Sequence, residues 1–374
     1  MEVIIADKRL KFDYVGSFLR PEKLKEARAA FEEGKINQVE LKKVEDECIK
    51  ELIDKQKELG YGVITDGEFR RATWHLDFMW GFEGVGHKKT DTGLPFHDEA
   101  AMIDDTYLTG KFRAPKEHPF VEHFKFVQNF EDENTFAKQT IPAPAQVFAQ
   151  FWMPVLREPS LQFYKDENEL AKDLTSAYTE VCKQLYDAGC RHLQLDDCTW
   201  GMLADDKGHL AYGVSKEESV KIQEFHKDLN NAVIDALPKD MDITTHICRG
   251  NFHSTYANSG PYDAVAEVLF AGENVNSYYL EFDDARSGGF EPLKYVSEDK
   301  NVVLGLVTTK RASLERKEAL IERIKAATKY IPLERLSISP QCGFASCEIG
   351  NKLDFEDQWK KLKLVKEVAE EVFA

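Results

Sequence analysis

The 374-residue chain lacks any uninterrupted apolar run near the roughly 20 residues that a membrane-crossing helix needs. Its opening, MEVIIADKRLKF, has a four-residue apolar stretch broken by Asp7 and Lys8, too short for a secretory signal. Positive charge is in deficit, with 49 Lys and Arg against 66 Asp and Glu and a formal net charge of −17. A surface that acidic repels phosphate backbones and anionic headgroups, so no nucleic-acid and no membrane partner is expected. Cysteine is sparse and odd in number, seven in all. A disulfide framework uses a dense, even set, so reduced thiols in a cytoplasmic protein are expected. There is no short-period repeat.

What is present is an ordinary globular composition, 43% hydrophobic and 31% charged. The length allows two or three domains, but α/β barrels often run this long as one. QVELKKVEDECIKELIDKQKELG reads as an amphipathic helix ending at Gly60, and NELAKDLTSAYTEVCKQLYDAG as another, with Leu170, Leu174, Ala177, Val181 and Leu185 on one face and Gly189 at its C-terminal cap. Ser215 and Glu218 form a capping-box pattern before a third, and Ser313 is placed to cap a fourth.

Eight β-rich runs alternate with these helices: Phe12–Ser17, Val63–Asp66, Gln139–Ala143, His192–Asp196, Ile243–His246, Ser277–Phe282, Val302–Val307 and Leu336–Ser339. Alternating βα units imply a parallel sheet, and eight of them predict an α/β fold of the (β/α)8 TIM-barrel type, one unit over residues 1–374. The stretch 81–130, after the second strand, is rich in Gly and Pro and poor in helical period. It reads as an inserted arm of β-hairpin type, either a packing embellishment or a lid or partner-binding arm.

In such a barrel the chemistry gathers at the C-terminal strand ends. The first strand ends in Ser17 and Arg20, the second in Asp66, Glu68 and Arg70, and the fourth in Gln194, Asp196, Asp197 and Trp200. In ITTHICRGN, His246 and Cys248 are two residues apart, so they share a face of the extended chain, either as a metal pair or as core neighbours. The sixth strand ends in Glu281 and Asp283 and the eighth in Cys342. His246, Cys248, Glu281 and Cys342 supply the thiolate, imidazole and carboxylate donors that zinc takes in tetrahedral geometry. Thiolates favour Zn2+ over magnesium or calcium, and ligands this far apart in sequence suggest catalysis rather than a small structural loop. The carboxylate, the weaker ligand, is placed to give way to an incoming thiol.

The pieces VGSFLRP, DGEFRR, LQLDD, HIC, YYLEFD and SPQCGFAS, in this order along nearly the whole chain, resemble the catalytic C-terminal barrel of the cobalamin-independent methionine synthases. The resemblance implies a zinc-dependent S-methyltransferase that activates homocysteine as a zinc thiolate, and a methyl group taken from 5-methyltetrahydrofolate or a related donor to give methionine. It implies that His246, Cys248, Glu281 and Cys342 hold the zinc, and that Ser17, Glu68 and Asp196 hold the amino-acid end of the thiol. Small-molecule substrates are therefore the expected partners, and a homo-oligomer is compatible with the sequence.

Two departures stand out. Long members carry an additional N-terminal barrel that helps bind the folate, which this sequence lacks. They also have an Asp-x-His-Ser element after strand seven, where this chain reads GLVTTKRAS, with Lys310 in the corresponding place. Lys310 is a candidate catalytic acid if burial lowers its pKa, or else a solvated lysine at a helical turn. Asp197 is a second catalytic candidate. Arg20 offers a fork for a substrate carboxylate, and Trp200, Phe151 and Trp152 offer faces for a planar donor. His75 is a candidate acid or supporting group; Cys198 and Cys347 read as spare thiols. Short relatives use the same centre for other thiol alkylations, so a zinc-dependent alkyltransferase acting on another thiol, or on an epoxide, is the alternative. A zinc hydrolase and a non-enzymatic binding protein are further readings, the former disfavoured because two thiolates reduce the Lewis acidity of zinc.

Overall fold

The computed structural model describes residues 8–90 and 93–373. The β-branched and aromatic runs become strands, as their side chains favour a pleated, buried surface. In chain order they are β1 (Val63–Ile64), β2 (Glu83–Lys88), β3 (Leu94–Pro95), β4 (Ala100–Ala101), β5 (Asp105–Arg113), β6 (Phe136–Ala137), β7 (Gln139–Pro142), β8 (His192–Asp197), β9 (Asp242–Ile247), β10 (Ser277–Glu281), β11 (Asn301–Val307) and β12 (Leu336–Pro340). Strands β7 to β12 pair in sequence order as one six-stranded sheet, every pair parallel. They are buried almost throughout, the polar residues of QTIP, HLQLDD, DITTHI and LSISP as well as the apolar ones. The mixed α/β fold with a parallel sheet is thus the observed architecture.

The first two expected strands are shorter than their composition suggests. Val63–Asp66 reduces to β1, which pairs in parallel with β6. Phe12–Ser17 reduces to one parallel bridge, Phe12 to Ile338 on β12. Side chains take the carbonyls that a ladder would use. Lys138 Nζ donates to Tyr14 O at 2.7 Å, Gln194 Nε2 to Val15 O at 2.7 Å, and Thr65 Oγ1 to Gly16 O at 3.3 Å.

The helices follow their signals closely. Helix Gln38–Glu58 opens with a reciprocal capping box between Asn37 and Glu40, and helix Glu167–Asp187 buries the expected face. Ser215 and Glu218 exchange both capping-box bonds, through a turn that leads into helix Ser219–Ile234. The expected start at Ser313 is displaced: the helix begins at Lys317. Ser313 O accepts from Lys361 Nζ, and Glu315 Oε1 accepts from Thr308 N, so tertiary bonds hold this stretch outside the helix.

Within 81–130, β2 and β5 form an antiparallel pair and β3 and β4 a second, smaller one. Helix Pro119–Gln128, unexpected there, has Pro119 at its first position and buries Phe120, Val121, Phe124 and Val127. That spacing is helical and lies in the sequence, masked by the Gly and Pro around it. No helix among the described residues is long and apolar enough to cross a membrane.

Candidate metal and substrate site

Strand β9 runs into the sheet's C-terminal edge and delivers His246, with Cys248 just beyond it. Glu281 ends the neighbouring β10, and Cys342 follows β12 by two residues. Their ligand atoms all lie within 4.8 Å of one another, and all four residues are buried. The Cys248 and Cys342 sulfurs are 3.8 Å apart. Two sulfurs about 2.3 Å from a tetrahedral zinc stand about 3.8 Å apart, so the pair is spaced for a shared ion. Neither ring nitrogen of His246 has a hydrogen-bond partner, although the residue is only 2% exposed. Leaving a buried imidazole so is unfavourable unless something binds it. Zinc fits the set in donor type, spacing and the orphaned imidazole.

The surroundings hold the other ligands in place. Glu281 accepts from Arg249 N at 2.9 Å and lies 3.3 Å from the Arg286 guanidinium. Cys248 Sγ accepts from Gly250 N at 3.3 Å, a bond that favours its thiolate. These partners orient the donors as outer groups do around metals.

His246, Cys248 and Cys342 form part of the wall of a cavity of ≈ 630 Å³ that also reaches Ser17, Glu68 and Asp196. Glu68 has φ 62°, a left-handed conformation that is strained for a non-glycine residue. Its amide donates to Asp66 Oδ1 at 2.8 Å, which fixes the turn. Its carboxylate Oε1 accepts from Thr140 Oγ1 at 3.1 Å and lies 3.4 Å from the Arg71 guanidinium, while Oε2 is buried without a partner. Burial pushes the Glu68 carboxyl up to about 7 against the pull of Arg71. Asp196 is likewise raised to about 7 by burial, against a hydrogen bond from Gln194 Nε2. Two buried carboxylates, one with an orphaned oxygen, are suited to a substrate cation. Ser17 Oγ lies against Gly343, where a Cβ would come within 1.9 Å, and accepts from Ala345 N. Its O–H remains available to an acceptor.

Other expected site residues lie elsewhere. Arg20, expected as a substrate clamp, does not line the cavity, and its two terminal nitrogens donate to the carbonyls of Phe18, Ala345, Glu68 and Arg71. It ties the loops together at the sheet's C-terminal edge. Asp197 points to the opposite face of β8 from Asp196, accepting from Thr199 N, Thr199 Oγ1 and Asn230 Nδ2. Trp200 is fully buried and does not line the cavity. Lys310 is bound to Asp283 at 2.6 Å, also outside the cavity wall. Phe151 and Trp152 pack into the core, while Gln146, Ala149 and Gln150 of the same helix face the cavity. Arg70 pairs with Glu45 and Asp46. Conversely, His75, Cys198 and Cys347 do line the cavity, with His75 stacked on Trp74 and held down to about 3 by burial. Sequence reasoning passed over Arg71, Thr140 and Arg286. Arg71 had a signal, standing three residues after Glu68 in DGEFRR.

Residues 12–81 and 158–371 match the family model described as cobalamin-independent synthase, catalytic domain. The uncharacterized protein YxjG of Bacillus subtilis (strain 168) is 41% identical over 366 residues, which cover 96% of this chain and 94% of that protein. Among solved structures, a putative vitamin-B12 independent methionine synthase from Listeria monocytogenes is 38% identical, with a TM-score of 0.75 and 97% of each chain covered. A B12-independent methionine synthase from Shewanella sp. W3-18-1 has a TM-score of 0.73 at 18% identity, covering 97% of this chain and 98% of that one, a likeness of fold.

Proposed function

From the chain's membership of the cobalamin-independent methionine synthase family, through its catalytic domain, we propose that it is a zinc-dependent S-methyltransferase that makes methionine from homocysteine. The observation that carries this reading is a cavity lined both by three donors of a four-donor metal cluster and by a buried carboxylate with an unpartnered oxygen. His246, Cys248, Glu281 and Cys342 hold the zinc. When bound there, it supplies the Lewis acidity that makes a thiol a thiolate at neutral pH.

The chain's own residues do the rest. Glu68 and Asp196 receive the ammonium of the amino acid, and Arg71 and Gln194 hold those carboxylates in position. The Ser17 hydroxyl donates to the substrate carboxylate. Held at both ends, the thiol is aimed at the open part of the cavity, so methyl transfer becomes an oriented, effectively unimolecular step. Glu281, the carboxylate of the set, would be the weakest of the four zinc donors. In the same reading the sheet closes into a (β/α)8 barrel of one domain, for which the Phe12–Ile338 bridge and the β1–β6 pair are the support. The strands β3 and β4 cover the mouth as a lid. Seven unpaired cysteines fit a reducing cytoplasm.

Titration calorimetry in buffers of different ionisation enthalpy tests the thiol step. Homocysteine binding to the zinc-loaded protein is expected to release about one proton more than homoserine binding, because zinc binds thiols as thiolates while both amino acids bring the same ammonium to Glu68 and Asp196. Equal proton counts for the two would overturn the reading.

A further inference from the structure

The cavity has a second wall, built unlike the first. Leu94, Phe96 and Ile103 come from the β3–β4 hairpin and its flank, Met153 and Leu156 from the turn after helix Pro144–Trp152. None of these side chains carries a charge. All five lie in 82–157, outside the residues that match the family model, whereas the metal cluster, Ser17, Glu68 and Asp196 lie inside them. The family model covers the thiol side of the cavity, and much of the opposite side comes from the segment between its two matched stretches, within the 96% of this chain that aligns with the 41%-identical relative. That wall is fixed to the metal strand. His97 N donates to Tyr256 O at 2.8 Å, Phe96 and Phe252 pack at 5.2 Å, and Glu99 bridges His253 and Lys352 at 3.0 and 3.1 Å, all on or beside the loop that follows Cys248.

Two features of this wall constrain the methyl donor. A polycarboxylate tail would meet Lys207 as the one ammonium lining the cavity among the described residues, exposed at the mouth of a chain with net charge −17. A nitrogen leaving group needs a proton, yet Lys310 is committed to Asp283 and Asp197 to Thr199 and Asn230, His75 is held down to about 3 by burial, and in the thiol reading Glu68 and Asp196 are taken by the ammonium. His97 is exposed and bonded to Asp98. The wall instead offers the faces of Trp74 and Phe96, thioether sulfurs and, near the mouth, the Asp205 carboxylate. These suit a compact cation with an apolar body.

We propose that this wall takes an S-methyl sulfonium as the methyl donor, an inference that rests on the thiol reading above. The thiolate sulfur's electron pair forms the new S–CH3 bond. The bond between methyl carbon and sulfonium sulfur breaks, its pair stays on the departing sulfur, and a neutral thioether leaves. The thiol's proton goes to solvent, so no acid and no oxidant is required.

The test incubates the zinc-loaded full chain with homocysteine and one methyl-deuterated donor. The donors are trimethylsulfonium, S-methyltetrahydrothiophenium, and methyltetrahydrofolate as mono- and triglutamate. Trideuterated methionine is read by mass spectrometry, and calorimetry reads sulfonium binding without thiol. Label is expected from the sulfonium ions at least about tenfold faster than from either folate. Phe96→Ala and Met153→Ala should each raise the sulfonium KM about tenfold, the loss expected for a half-buried apolar contact, with zinc content and homocysteine affinity unchanged. Label from a folate alone, or from no donor while homocysteine binds, overturns the proposal and leaves the thiol reading standing. If homocysteine does not bind, the thiol reading fails and calorimetry decides the subsite: sulfonium binding lost in Phe96→Ala supports it, and no sulfonium binding overturns it.

Discussion

The two walls of the cavity differ in how they are made. The thiol side is assembled from strand ends and short loops of one parallel sheet, buried, charged and hydrogen-bonded to backbone. The opposite side is apolar, part-exposed and carried on a small hairpin and a turn. A strand end locked into a sheet fixes a donor atom closely, as metal chemistry requires. A hairpin held by a few side-chain contacts can change its lining without disturbing that geometry. The same division appears in the match to the family, which stops at 81 and resumes at 158.

The contrast breaks most sharply at the metal. Cys342→Ser should reduce bound zinc to below about a tenth of an equivalent after dialysis and abolish transfer, since even outer-shell changes cost about 10–100-fold in metal affinity or activity. Elemental analysis of the dialysed protein checks it. Full zinc content in the variant would detach Cys342 from the centre.

Next comes the carboxylate that receives the ammonium. Glu68→Gln should weaken homocysteine binding by about 10–100-fold, the range of a charge-assisted bond of about 1.5–3 kcal/mol. Burial raises the Glu68 carboxyl from 4.5 to about 7, so the form that pairs with an ammonium grows in as pH rises through that value. Homocysteine affinity should therefore increase with pH across neutrality, and Glu68→Gln should flatten the rise. The sign for stability is the reverse. A carboxyl whose folded pKa lies above its unfolded value favours the folded state in acid, and the free protein loses that contribution as pH rises from 4.5 through about 7. Melting temperatures with and without homocysteine across this range would show both trends.

On the apolar side the effects are smaller and should leave the metal alone. Phe96→Ala is expected to raise donor KM about tenfold, in line with the transfer energy of part of an aromatic side chain, without altering zinc content. Smallest of all is the latch. Glu99 bonds His253 and Lys352 near the surface, and exposed ion pairs contribute about 0–1 kcal/mol. Glu99→Gln should change donor KM by no more than about fivefold, with a stronger effect at low salt. Steady-state kinetics at two ionic strengths measures it.

The metal set was legible because strand periodicity brings His246 and Cys248 to one face, and parallel order brings Glu281 and Cys342 to the same edge. The same alternation separates Asp196 from Asp197, so that distinction was also readable. Arg20 was not. Its side chain is consumed by four carbonyls from three loops, and only folding brings those together. The place of Lys310 was hidden for a similar reason, because Asp283, 27 residues away, claims its ammonium. The first strand was overread because side chains of Lys138, Gln194 and Thr65, distant in sequence, occupy its carbonyls. The hairpin wall was legible as an inserted arm with hairpin character, but not which of its residues face the cavity.

The most direct test of the account is zinc X-ray absorption on the loaded protein with and without homocysteine. Cys248 and Cys342 give two sulfur ligands beside His246 and Glu281. Homocysteine is expected to add a third sulfur, with the oxygen contribution of Glu281 reduced. An unchanged shell at saturating homocysteine would contradict the claim that this centre exists to activate a thiol.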